Sequence, residues 1–196
     1  MLVIDLGDVV CHFRPEPRME RLAAISGLSE QEVRRRWWES GLEKAAESGR
    51  LGPDVYGPVR EALAIDTPDD ELRATWSLAF VPNPAVVDLV ARVAAPTVLF
   101  TNNGPIVSDC LRHELVEVQQ HFEHIVCSWH IGHRKPSPEA FTTLAGELGA
   151  EPGRLVFVDD SQANVDAARG VGLDALRFTT PDGLRAALAR RGLLVM

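Results

Sequence analysis

Leu2-Val3-Ile4-Asp5-Leu6-Gly7-Asp8-Val9-Val10 sets the reading of the whole chain. Leu2, Val3 and Ile4 form a short apolar run without polar alternation, the pattern of a strand buried on both faces. Acidic and glycine residues follow at once, so polar chemistry sits at the strand's carboxyl end, where ligands gather in open α/β sheets. The pattern recurs downstream. Thr97-Val98-Leu99-Phe100 runs into Thr101-Asn102-Asn103-Gly104, and Leu155-Val156-Phe157-Val158 runs into Asp159-Asp160. Ile125-Val126-Cys127 predicts another short strand, followed by a loop through Lys135, and 175–178 predicts a last one.

Helical patterns separate these strands. Residues 84–93 carry Val86, Val87, Leu89, Val90 and Val93; Ser137-Pro138 starts a helix that ends near Gly149; another runs towards Arg169, and a terminal one covers 181–190. Strand and helix in alternation, with continuous apolar strands, predict a parallel sheet covered on both faces. Between the first two strands the character changes. Ser29 and Glu32 form a capping box ahead of Val33, Trp37 and Trp38; Pro53 opens a helix towards Leu63; Thr67-Pro68 opens one carrying Leu72, Trp76 and Phe80. No strand is predicted there, so 15–80 reads as a helical insertion.

Composition narrows the class. The 196 residues hold 20 Lys and Arg against 28 Asp and Glu, a net charge of -8, which excludes a general binder of nucleic acid or anionic membrane but not a single basic pocket for a phosphate. Cys11, Cys110 and Cys127 are odd in number and widely spaced, giving neither a disulfide framework nor a zinc knuckle. No stretch approaches the roughly 20 apolar residues of a membrane span, and Asp5 and Asp8 are unlike a signal peptide; the cytoplasm is the expected compartment.

The strand ends specify a chemistry. Asp5 and Asp160 suit a hard divalent cation, completed by a backbone carbonyl and water. A phosphate added there needs positive charge, which Lys135 supplies, and hydrogen-bond donors, which Thr101 and the Asn102 N–H supply. Asp5 is then a nucleophile able to form an aspartyl-phosphate.

This ordered set resembles the haloacid dehalogenase-like superfamily. The matching motifs are Asp5-Leu6-Gly7-Asp8-Val9-Val10, Leu99-Phe100-Thr101-Asn102-Asn103, Arg134-Lys135-Pro136, and Val158-Asp159-Asp160-Ser161 with Asn164. The resemblance implies an α/β fold, a three-layer Rossmann-like parallel sheet core with a small inserted helical cap: 1–14 and 81–196 as catalytic core, 15–80 as cap. It implies a Mg²⁺-dependent phosphomonoester hydrolase acting on a small phosphorylated metabolite, with Asp5 as nucleophile and Thr101, Asn102 and Lys135 on the phosphate. Asp5, the Gly7 carbonyl and Asp160 become metal ligands, Asp159 orients Lys135 or a metal-bound water, and Asn164 stands behind them. The oligomer, monomer or weak homodimer, stays open.

One position departs from the family pattern. Its phosphatases commonly carry a second aspartate two residues after the nucleophile, to protonate the leaving group, and here that position is Gly7. Asp8 is a weak substitute, because neighbouring side chains on an extended segment point oppositely. A missing acid matters least for a good leaving group, such as an anomeric sugar phosphate or an acyl phosphate. A small bacterial subgroup containing α-D-glucose-1-phosphate phosphatase shares the glycine, the Arg-Lys-Pro and the acidic pair, and its loop between cap helices is similar to Glu47-Ser48-Gly49-Arg50-Leu51. Two alternatives stand beside this reading: a metal-independent 2-haloacid dehalogenase, and a catalytically weak binding or regulatory protein.

The remaining candidates are weaker. His12 and Arg14 lie near the expected entrance and are candidate substrate contacts. Trp37, Trp38 and Trp76 read as packing within the insertion. Arg34-Arg35-Arg36 reads as a solvated helix face from which one arginine could turn towards the cleft. His113, His121, His124, His130 and His133 lack zinc-ligand spacing.

Overall fold

In the computed structural model, which describes residues 1–195, β1 (Leu2–Ile4) is the central strand of a five-stranded sheet. All three of its side chains are fully buried. It pairs in parallel with β4 (Thr97–Thr101) on one side and β6 (Val156–Asp159) on the other; β5 (His124–Cys127) and β7 (Asp174–Arg177) complete the order β5-β4-β1-β6-β7, all parallel. Because the strands run the same way, Asp5, Thr101 and Asp159 emerge side by side at one edge. The order of the strands makes the site.

The two faces of the sheet are covered separately. Val3, Val98, Phe100 and Phe157 face Phe141 and Leu144, whereas Leu2, Ile4, Leu99 and Val158 face the other way, into a cluster with Leu111 and Leu188. Phe141 meets Phe157 at 5.2 Å and Phe100 at 5.9 Å, both edge-on, a favoured aromatic geometry.

Helices occupy the chain between strands. Between β2 (Cys11–Phe13) and β3 (Phe80–Pro82) lie α1 (Pro15–Ser26), α2 (Glu30–Arg34), a π-helical turn at Arg35–Glu39, α3 (Leu42–Glu47), α4 (Tyr56–Leu63) and α5 (Asp69–Ser77). After β3 come α6 (Pro84–Val90), α7 (Pro105–His113), α8 (Val116–Gln119), α9 (Ser128–Ile131), α10 (Pro138–Glu147), α11 (Gln162–Gly170) and α12 (Pro181–Arg190).

The structure corrects several local expectations. Phe80 does not end a helix: α5 stops at Ser77, and Phe80 enters β3, which pairs antiparallel with β2 and sets Phe80 opposite Phe13 with ring centroids 5.5 Å apart. A two-stranded ribbon therefore carries the chain into and out of the helical segment. The helix expected from Pro53 begins at Tyr56. A short helix, α9, interrupts the loop expected between β5 and Lys135, and α7 fills a stretch for which no element was expected. Only half of the capping box forms: Ser29 accepts the Glu32 N–H at 3.2 Å, but the Glu32 carboxylate turns to Arg35 and Arg36, which hold it down to about 2 by hydrogen bonding. Among the described residues no helix is long and apolar enough to cross a membrane.

Candidate active site

Lys135 organises the edge of the sheet. Its ammonium donates to Asp159 Oδ2 at 2.7 Å, Asp5 Oδ1 at 2.8 Å and the Phe100 carbonyl at 2.9 Å, which uses all three of its protons. The rings of Phe100 and Phe157 pack around it at 5.1 and 5.4 Å, adding cation–π attraction. Burial would lower its pKa, but Asp5 and Asp159 outweigh burial and hold it above the ordinary lysine value. It stays a cation.

The Lys135 loop is itself held. Asn102 Nδ2 donates to the Lys135 carbonyl at 2.7 Å, and the Lys135 N–H donates to Asn102 Oδ1 at 2.8 Å, a two-way clamp between the end of β4 and the loop. Asn103 donates to the Thr101 hydroxyl at 2.7 Å, which leaves the Thr101 O–H as a donor. Asp159 is fully buried and fully engaged: Ser161 N–H and Asn164 Nδ2 reach Oδ1 at 2.9 Å each, and Lys135 and Asn164 reach Oδ2.

Asp5, by contrast, lines a cavity of about 370 Å³ together with Gly7, Thr101, Asn102, Lys135 and Asn164. Burial pushes its carboxyl up to about 6; Lys135 pulls it down and Asp159 pushes it up further. Asp160 makes no hydrogen bond to another side chain among the described residues, and burial, then Asp159 and Asp8, raise its pKa. Oxygen atoms of Asp5, Asp159 and Asp160 lie within 4.8 Å of one another. Three carboxylates thus face one ammonium. Such a hard-oxygen set, short of positive charge, fits a divalent cation of the magnesium type. Asp159 has already spent its oxygens on Lys135, Ser161 and Asn164, which leaves Asp5 and Asp160 as the carboxylates least engaged with the protein.

Three of the sequence candidates lie outside the cavity, although the Asp8 charge still acts on Asp160. Asp8 adopts φ 54°, a left-handed turn that aspartate tolerates better than most residues, and its carboxylate accepts the Phe13 N–H at 3.0 Å. His12 is exposed on β2 opposite Val81, and Arg14 donates to the Phe13 carbonyl at 3.0 Å. None of the three lines the cavity.

The helical segment supplies the opposite wall, which includes Arg18, Arg34, Trp38, Glu43 and Glu47. Burial, reinforced by Glu43, pushes Glu47 up to about 7 even though Arg134 Nη2 sits 2.7 Å from its Oε2. The sequence reading passed over Arg18 and Glu43 and took Glu47 only as part of a loop between cap helices. A signal for Arg18 existed: it shares a helical face with Leu22 four residues on, and both are buried.

Comparison with known proteins agrees with this architecture. The haloacid dehalogenase-like hydrolase family matches residues 3–172. A phosphatase of Mycobacterium tuberculosis is 30% identical over 190 residues, covering 89% of this chain and 84% of that protein. A chloroplast flavin mononucleotide hydrolase of Arabidopsis thaliana is 34% identical over 93 residues, which are 47% of this chain but only 38% of that protein. A haloacid dehalogenase family enzyme of Bacteroides thetaiotaomicron, solved with magnesium and inorganic phosphate, superposes with a TM-score of 0.75 at 23% identity, over 91% of this chain and 93% of that one. With the fold, the ordered motifs and the family match in agreement, the chain belongs to the haloacid dehalogenase-like hydrolases.

Proposed function

We propose that the protein is a magnesium-dependent phosphomonoester hydrolase acting on a small phosphorylated metabolite through an aspartyl-phosphate on Asp5. The observation that carries this reading is the Lys135 ammonium between Asp5 and Asp159, with Asp5 opening onto the cavity. Asp5, Asp160 and the Gly7 carbonyl would hold the magnesium ion, which would supply positive charge against the phosphate oxygens.

The chain's own groups do the rest. The Asp5 oxygen that Lys135 does not hold attacks phosphorus, the ester P–O bond breaks, and the leaving oxygen departs with the bonding pair and takes its proton from water. Lys135, the Thr101 hydroxyl and the Asn102 N–H stabilise the charge on the transferring group. Water then attacks the phosphorus of phospho-Asp5, releasing inorganic phosphate and regenerating the carboxylate. Asp159 and Asn164 position Lys135. Residues 15–80 serve as the cap over the leaving group, with 1–14 and 81–196 as the catalytic core.

Gly7 shapes the choice of substrate. With no side chain to protonate the departing oxygen, turnover favours a good leaving group, and the motif likeness to the α-D-glucose-1-phosphate phosphatase subgroup supports a sugar 1-phosphate. The acidic pair Asp159–Asp160 favours phosphate chemistry over dehalogenation, since a halide-releasing site needs no cation.

Phosphate release from sugar 1-phosphates and sugar 6-phosphates, with and without Mg²⁺, tests the proposal. Release that requires Mg²⁺ and disappears in Asp5→Asn is expected. Halide release from a 2-haloacid without metal, or unchanged turnover in Asp5→Asn, overturns it.

A further inference from the structure

Arg18 is the most anomalous charge in the molecule. The residue is 3% exposed, yet its guanidinium makes no hydrogen bond and no ion pair with any described residue, and its Nε is buried without a partner. Aromatic rings surround it instead, with Trp38 at 5.0 Å, Trp76 at 5.2 Å and Phe13 at 5.5 Å from its central carbon. Glu43 and Glu47 act on it only from beyond contact distance, and burial outweighs them; a desolvated cation without a hydrogen-bond partner costs free energy, so its retention calls for a ligand that completes it. Arg18 lines the same cavity as Asp5 but belongs to the helical wall opposite the strand ends.

The charge pattern of that wall identifies the ligand class. Arg18 and Arg34 supply two cations; Glu43 and Glu47 supply two carboxyls, of which Glu47 already holds Arg134 through Oε2 at 2.7 Å. An anionic leaving group would meet both carboxyls, and a cationic one both guanidinium groups. A neutral, multiply hydroxylated group suits all four, because each hydroxyl donates one hydrogen bond and accepts others. We propose that Arg18, with Glu43 and Glu47, forms the leaving-group subsite and selects an uncharged polyol or sugar over a carboxylate-bearing or aryl leaving group. This rests on the phosphatase reading and adds the chemistry of the leaving group.

The test compares kcat/KM on glucose 1-phosphate, phosphoglycolate and p-nitrophenyl phosphate, with Mg²⁺, for the wild type, Arg18→Met and Glu43→Gln. The wild type prefers the sugar phosphate. Arg18→Met lowers the ratio of sugar phosphate to aryl phosphate at least about tenfold, mainly through KM, because a site built for hydrogen bonds loses its donor. Arg18→Met changes Tm little, since an apolar chain of similar length keeps the packing against Phe13, Trp38 and Trp76 while removing a buried cation that has no hydrogen-bond partner. Glu43→Gln lowers the same ratio. An unchanged ratio in Arg18→Met, a preference for phosphoglycolate in the wild type, or a Tm loss above about 5 °C overturns the subsite while leaving the phosphatase reading standing. Phosphate release from none of the three overturns both.

Discussion

Lys135 Nζ and Asp5 Oδ1 stand 2.8 Å apart at the centre of the sheet's carboxyl edge, with the lysine side chain 1% exposed and the aspartate 14% exposed. One partner is sealed in the core and the other opens to the cavity. The pair joins an immobile cation to a reactive anion, and both depend on the order β4-β1-β6. Lys135→Met leaves Asp5 and Asp159 without their counter-ion. Stranding one member of a buried ion pair costs about 3–5 kcal/mol, so thermal unfolding should show a Tm loss of about 10 °C. Phosphate release should vanish. Retention of both stability and turnover would show that Asp5 and Asp159 need no counter-ion from Lys135.

Gly7 is open in front. A Cβ built at this position meets no atom within 4 Å, and its backbone is not among those with positive φ, so a side chain is tolerated. Gly7→Asp places a carboxyl two residues after Asp5. A positioned general acid contributes about 10²–10⁴-fold. The ratio of turnover on an alkyl phosphate to turnover on p-nitrophenyl phosphate, whose leaving group needs no proton, should rise at least about tenfold. A ratio that stays level would show that protonation of the leaving group does not limit the native enzyme.

Asn102 was read from sequence as giving its backbone N–H to the phosphate; its side chain has a separate task, clamping the Lys135 backbone in both directions. Asn102→Ala removes a donor and an acceptor from a partly buried clamp, at about 2 kcal/mol. Differential scanning calorimetry should record the loss. A lower kcat should accompany it, because the loop that aims Lys135 at Asp5 is released. A normal kcat beside the lowered Tm would mean that Lys135 holds its place without the clamp.

Much of this was legible in the sequence, for a physical reason. Parallel strands buried on both faces read as unbroken apolar runs, so β1, β4 and β6 announce themselves, and their polar ends fall together once the strands are parallel. The ribbon of β2 and β3 was not legible. Three-residue strands are too short to show a period, and Phe80 reads as helical until its pairing with Phe13 is seen. Arg18 was hidden because a cation on an apolar helical face looks like a boundary residue. Its value emerges only when Phe13, Trp38 and Trp76, distant in sequence, close around it. Gly104 stands in the sequence only as the end of the polar run Thr101-Asn102-Asn103-Gly104. The structure adds a packing role, since a Cβ there would come within 3.2 Å of Ala46 on α3.

Glu47 ties the helical segment to the catalytic loop at two points. Its carboxylate meets Arg134, the neighbour of Lys135, at 2.7 Å, and its carbonyl accepts the Ser128 hydroxyl at 2.6 Å. Burial raises its pKa from 4.5 to about 7, with Glu43 adding to the rise and Arg134 opposing it. The folded state therefore holds a proton that the unfolded chain releases between those values. That contribution to stability is complete below pH 4.5 and is lost as the pH rises through about 7. Glu47→Gln abolishes the titration. The stability of the wild type relative to Glu47→Gln should accordingly decline by about 2–3 kcal/mol between pH 4.5 and pH 8. Parallel urea titrations across that range measure the difference directly. A difference that does not change with pH would mean that Arg134 keeps Glu47 ionised throughout, and that the contact between α3 and the Lys135 loop is a permanent ion pair.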